Sequence, residues 1–269
     1  MPQIPIPAGS RSFTAKVFNV GVAYDVTDWA NVFAAFSQGF STAEIGRVLR
    51  DTVVPIALGD PRLADALAPQ QIDNYEGGVR LKFGDIDIDA AAFYSKCSLC
   101  STTNAQLLLI RQPDIAWGYE IGVNGGRRSR TRWAASYTFV DGNRDLNNDG
   151  EYETPLTANR APPSKITGSI EHDFNDIWSL RVQGVHSLFR DQFGNQITTT
   201  AVGVAPVRAF TLIDTSLRMN LKRAGSVTLA VNNLFNEDYF SLGSYLINRS
   251  DRFSKGNGRT VRLSYTIKY

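Results

Sequence analysis

The sequence has very little sulfur and no excess charge of either sign. Two cysteines in 269 residues cannot staple a disulfide-rich scaffold. Basic and acidic residues number 28 and 26, a net charge of +2 with no basic tract, so the electrostatic footprint of a nucleic-acid binder is missing. No stretch approaches the ~18 consecutive apolar residues of a membrane-spanning helix. The first residues, MPQIPIPAGS, lack the cationic start and apolar centre of a signal peptide. Either the protein stays where it is made, or an export signal lay further upstream. What is present, 43% hydrophobic and 20% charged residues, argues against wholesale disorder. The length alone suggests one large domain or two average ones. These exclusions suggest a soluble chain with one gap, because a transmembrane β-barrel never needs a long apolar run.

The chain is better read in period 2 than in period 3.6. Val261, Leu263, Tyr265, Ile267 and Tyr269 alternate with Thr260, Arg262, Ser264, Thr266 and Lys268. Successive strand side chains point to opposite faces, so one face is apolar and the other polar. The same alternation occurs around Phe18–Val26, Tyr75–Phe83, Ile86–Asp89, Trp117–Asn124, Arg132–Phe139, Lys165–Phe174 and Ile213–Leu221. Segments near 29–40, 178–188 and 226–235 are weaker or mixed. About eleven strands are expected, most of them about ten residues long, enough to cross a bilayer when tilted.

Short connections (26–28, 84–85, 125–130, 175–177, 222–225) alternate with long ones (41–69, 98–114, 141–163, 189–208, 240–258). The short ones carry Gly, Asn, Asp and charged residues, as hairpin turns do. An up-and-down outer-membrane barrel has this asymmetry, with tight periplasmic turns and long outer loops. Aromatics near strand ends (Trp29, Tyr94, Trp117, Trp178, Tyr239) fit interfacial girdles. A soluble antiparallel sheet packed on a second layer would show the same alternation. It would not place every long loop at one end.

The carboxyl-terminal run Val231-Asn232-Asn233-Leu234-Phe235-Asn236-Glu237-Asp238-Tyr239 precedes a loop, then Gly258-Arg259 and a last strand with a terminal aromatic. It resembles the end of TonB-dependent outer-membrane receptors, siderophore receptors in particular. Three more stretches are similar to strands of that family. They are Asn31–Phe40 with its closing Gly-Phe, Leu67-Ala68-Pro69 through Asn74-Tyr75-Glu76-Gly77-Gly78, and Trp117-Gly118-Tyr119-Glu120. In the second, Gln70 stands where the family usually has Glu. The resemblance spans residues 13–269, with 1–12 an irregular segment. It implies an all-β, antiparallel up-and-down barrel in the bacterial outer membrane, this chain supplying the carboxyl-terminal half of about 22 strands. It further implies uptake of a scarce nutrient, most often a ferric siderophore, energised by TonB. TonB would act through an amino-terminal plug that this sequence does not show, so the chain alone is not expected to transport.

Several residues invite a chemical reading. Val261, Leu263, Tyr265, Ile267 and Tyr269 resemble the signal read by the barrel-assembly machinery; they also suit plain contact with outer-membrane lipid. Asp145, Asn147 and Asp149, followed by Gly150, match the first half of a calcium loop, yet Leu156 occupies the position of the closing acid. An Asn/Asp-rich solvated loop is the competing reading, and no other cofactor is expected. Cys97 and Cys100 form a C-x-x-C where a strand meets a long loop. Zinc would need two further soft ligands, and His172 and His186 lie on other strands. A local disulfide or a pair of free thiols remains.

No hydrolase, metalloprotease or phosphate-loop motif occurs, so no enzyme is expected. Asp85, Asp87 and Asp89 near a turn, with Arg80, Lys82, Glu120, Arg132, Glu171, Arg181, Asp214 and Arg218, suit a water-filled lumen lined by both signs. Ligand contacts are expected from loops such as 47–65 and 189–208. A passive porin-like barrel and a soluble β-sheet binding protein are the alternative readings.

Overall fold

A polypeptide whose strands are apolar on one face and charged on the other must put those faces in different solvents. In the computed structural model it does so as a single antiparallel sheet. The described residues are 10, 12–42, 45–46, 67–103, 109–158, 160–192, 206–246 and 254–267. The strands are β1 (Asn19–Thr27), β2 (Ala30–Ser41), β3 (Gln70–Phe83), β4 (Ile86–Thr103), β5 (Leu109–Gly125) and β6 (Thr131–Arg144). They continue with β7 (Thr154–Pro155), β8 (Lys165–Asp173), β9 (Trp178–Ser187), β10 (Phe210–Asn220), β11 (Ser226–Asn232) and β12 (Thr260–Thr266). Each strand pairs with the next in sequence, except that the two-residue β7 branches off β6, so β6 continues into β8.

The faces follow the alternation. Phe36 pairs with Tyr75, Tyr75 with Tyr94 and Tyr94 with Trp117, all on the outer face. Phe36–Tyr75 and Tyr75–Tyr94 ring centroids lie 5.0 and 6.3 Å apart. Val20, Val22, Tyr24, Ile121, Ile170 and Leu263 remain exposed on this face. The inner face carries the polar partners. Its exceptions include Phe33 and Phe93, whose rings fill the space over Gly78 and Gly118. A Cβ on Gly118 would stand 2.2 Å from the Phe139 carbonyl oxygen and 2.7 Å from the Phe93 ring. This close approach explains why β2 reads as mixed: Phe33 faces inward because a glycine makes room for it.

Three expectations are corrected. The 98–114 connection is mostly strand, since β4 runs to Thr103 and β5 begins at Leu109. Its periodicity is hidden by a bulge between Cys97 and Cys100. The 141–163 connection begins later, because β6 runs to Arg144, and it contains β7. The last strand ends at Thr266, with Ile267 just beyond it. Tyr269, all of 47–65 and, within 189–208, residues 193–205 lie outside the described residues.

The sheet is open. Among the described residues β1 pairs only with β2, and β12 only with β11. Every residue of both edge strands is exposed. The β1–β2 turn is short and the β11–β12 connection long, so both edges run from the long-loop end to the short-turn end. Two strands running the same way cannot close on each other as an antiparallel pair.

Candidate functional site

The lower part of the inner wall is a lattice of paired charges. Arg132 donates to Glu171 (2.9 Å) and Asp173 (2.7 Å), and Arg181 reaches the second oxygen of Glu171 at 3.4 Å. Gln183 donates to Asp214, Arg127 pairs with Asp87, and Arg80 lies 3.8 Å from Asp89 while its guanidinium covers Phe33. Asp85 sits in the β3–β4 turn and accepts the Arg128 amide. These pairs are partly solvated, worth about 0–1 kcal/mol each. They make a wall that tolerates water or a polar neighbour, and they offer no nucleophile beside a base.

The outer end of the wall differs. Asp114 of β5 stands directly opposite Arg144 of β6, and both are buried. Arg160, from the connection after β7, donates to Asp114 at 2.5 Å and to the Cys100 sulfur at 3.3 Å. Gln112 is also buried and donates to the Leu146 carbonyl. Together with Cys100 and Leu156 these side chains enclose a cavity about the size of one water molecule. Arg144 Nε and Nη2 and the Gln112 Oε1 have no hydrogen-bond partner among the described residues. This cluster stands beyond the aromatic band marked by Trp117. There, burial pushes the Asp114 carboxyl above its usual range despite Arg160 and Arg144, and burial lowers the Arg144 guanidinium.

The structure sorts the sequence candidates clearly. Cys97 and Cys100 are bonded to each other, with Cα atoms 5.5 Å apart. Their sulfurs and an Asp114 oxygen lie within 4.8 Å of one another. The sulfur–sulfur bond and the guanidinium on Asp114 make that trio unsuited to a cation. Asp145, 2% exposed, turns both carboxylate oxygens to the amides of Asp149 and Gly150. Asn147 donates to Asp149, whose other oxygen accepts the Glu151 amide. These are turn-forming bonds that hold Asp145, Asn147 and Asp149 together in one tight loop. Val261, Leu263 and Tyr265 face outward on β12, and the Tyr265 hydroxyl donates to the Ala224 carbonyl.

A second feature had no periodicity to reveal it. Above the wall, Ala158, Val207 and Tyr245 form a small core with Phe240 and Leu242. Arg190, 6% exposed, pairs with Asp141 at 2.8 Å and bridges to Val207. The Tyr245 hydroxyl accepts the Arg208 amide. Three outer connections thus pack into one collar. The available signal was compositional, since apolar Phe240, Leu242 and Tyr245 interrupt a polar loop.

Comparison with known proteins agrees with this architecture. The chain is 25% identical to the ferric aerobactin receptor of Klebsiella pneumoniae, over 98% of this chain and 37% of the receptor. It is 24% identical to the rhizobactin receptor of Rhizobium meliloti (strain 1021), over 97% of this chain and 36% of that protein. It therefore spans a little over a third of the length of these relatives. Its fold is similar to the ferric-catecholate import receptor of E. coli K12, with a TM-score of 0.63 and 19% identity over 91% of this chain and 34% of that one. The family model described as TonB dependent receptor-like, beta-barrel matches residues 3–234. The chain therefore belongs to the TonB-dependent receptor family, as part of its outer-membrane β-barrel.

Proposed function

We propose that this chain is the carboxyl-terminal part of a receptor that takes up a ferric siderophore with energy delivered through TonB. The observation that carries the reading is that both named relatives, matched over nearly the whole chain, are siderophore receptors. The wet, doubly charged inner wall supports it, because such a surface suits a polar plug and a hydrophilic cargo. On this reading the protein is a transporter with no reaction of its own, and TonB reaches it only through a plug domain contributed by the rest of the receptor.

The strand count supports the partial-barrel reading. Eleven strands form an unbroken meander whose two edges run the same way. A second copy in the same membrane orientation would meet it through parallel seams. An odd number of strands from the remainder of the receptor closes it antiparallel throughout, which satisfies backbone groups that hydrocarbon would otherwise leave unpaired at several kcal/mol each. Val261, Leu263, Tyr265, Ile267 and Tyr269 serve on this reading as the signal for barrel assembly.

Uptake of radio-iron from ferric aerobactin tests the reading in cells that make no siderophore. The full receptor containing this chain should support uptake in TonB-competent cells and lose it in TonB-deficient ones. Equal accumulation in both would contradict energised transport. Aerobactin-independent uptake of another ferric complex would redirect the ligand assignment while keeping the mechanism.

A further inference from the structure

Cysteines three apart on a regular strand cannot bond. Side chains at i and i+3 lie on opposite faces, about 10 Å apart along the chain. Cys97 and Cys100 meet because β4 carries one extra residue there. Cys97 pairs with Asp114 and Cys100 with Gln112, so Ser98 and Leu99 together oppose Pro113. The bulge turns Cys100 onto the inner face beside Cys97, and the sulfurs bond at 2% and 3% exposure.

The position of this staple matters. The β3–β4 ladder ends at Ile72↔Cys97, and the β5–β6 ladder ends at Asp114↔Arg144. Pro113 accepts the Asp145 amide but has no N–H to extend the pairing with β6. Beyond this line β4 and β5 continue as a ribbon of four pairs, Cys100↔Gln112 to Thr103↔Leu109, paired with no other strand among the described residues. A two-stranded ribbon is marginal alone, and a one-residue slip would turn all of it over.

We infer that the Cys97–Cys100 bond is a redox-held register lock at the root of an outer ribbon, which also holds Gln112 against Asp114, Arg144 and Arg160. This needs only the barrel wall and no particular ligand. Opening the lock takes two electrons and two protons from a low-molecular-weight thiol. One thiolate attacks a cysteine sulfur, forming a mixed disulfide and expelling the other cysteine. A second thiolate attacks the mixed bond and leaves two cysteine thiols and an oxidised disulfide of the reagent. The Arg160 guanidinium at the Cys100 sulfur favours Cys100 as the expelled thiolate.

Amide hydrogen exchange on the full receptor in micelles, oxidised and after dithiothreitol, tests this. Reduction should lower protection of residues 100–103 and 109–112 by at least about tenfold while 117–123 stay unchanged, with recovery on reoxidation. The Cys97→Ser/Cys100→Ser double variant should show the same exchange without reductant. A bond that survives excess dithiothreitol, or a ribbon equally protected in the double variant, overturns the lock. One alanine inserted between Gln112 and Pro113 should regularise the ladder and leave two thiols reactive with Ellman's reagent. A bond that still forms there overturns the role of the bulge.

Discussion

Strand β12 alternates without interruption and has every residue exposed, whereas β4 and β5 carry a bulge, a ring packed over glycine and a buried charge cluster. The edge strand answers to one constraint, the boundary between lipid and lumen, and that constraint writes a pure period of two. The central strands also answer to neighbours on both sides and to the loops above them. Gly118 is small because Phe93 and the Phe139 carbonyl occupy the space a side chain would need. Cys97 and Cys100 sit where the wall stops and a two-stranded ribbon begins. Interruptions of the alternation therefore mark where the wall supports something else.

The sharpest way to break this comparison is to fill the space under an inner ring. Gly118→Val should cost about 3 kcal/mol or more and prevent assembly of most receptor molecules, read as loss of the heat-modifiable form on gels. Gly122→Val, on the same strand and face, meets nothing within 4 Å and should assemble normally. Similar losses in both variants would mean that crowding is not what selects Gly118.

A charge placed on opposite faces of the paired strands β4 and β5 tests the two solvents. Ile121→Arg, on the outer face, should destabilise the receptor in lipid vesicles by about 2–4 kcal/mol. Ala91→Arg, on the inner face beside Glu120, should cost under about 1 kcal/mol. Denaturant titration measures both, and equal penalties would contradict the assignment of faces.

A smaller loss than that of Ile121→Arg belongs to the loop after β6. Asp145→Ala removes the acceptor of two backbone amides and should cost about 1–2 kcal/mol, with faster exchange at Asp149 and Gly150. Adding calcium to the unaltered receptor should leave that exchange as it was. Calcium-dependent protection would support the metal reading of Asp145, Asn147 and Asp149.

Much of the wall could be read directly from residue order. The alternations at Trp117–Asn124 and Val261–Tyr265, and the short turns between strands, are local properties that a period of two exposes. The ribbon of β4 and β5 could not be read that way, because one extra residue at Ser98–Leu99 reverses the phase midway. The C-x-x-C with Pro113 opposite was the available clue, since cysteines at that spacing bond on a strand only across a bulge. The Asp114–Arg144–Arg160 cluster joins residues from three chain segments, and no pattern along the chain can express a contact made through pairing and loop packing.

Among the described residues the sheet is open, with β1 and β12 as its two edges. Cysteine pairs placed on the outer faces of β1 and β12, at Val20, Val22 or Tyr24 against Val261, Leu263 or Tyr265, test it directly under mild oxidation of the chain in lipid. An open sheet gives no β1–β12 cross-link, within one chain or between two. Efficient cross-linking at any of these pairs would show that the edges meet and would contradict it.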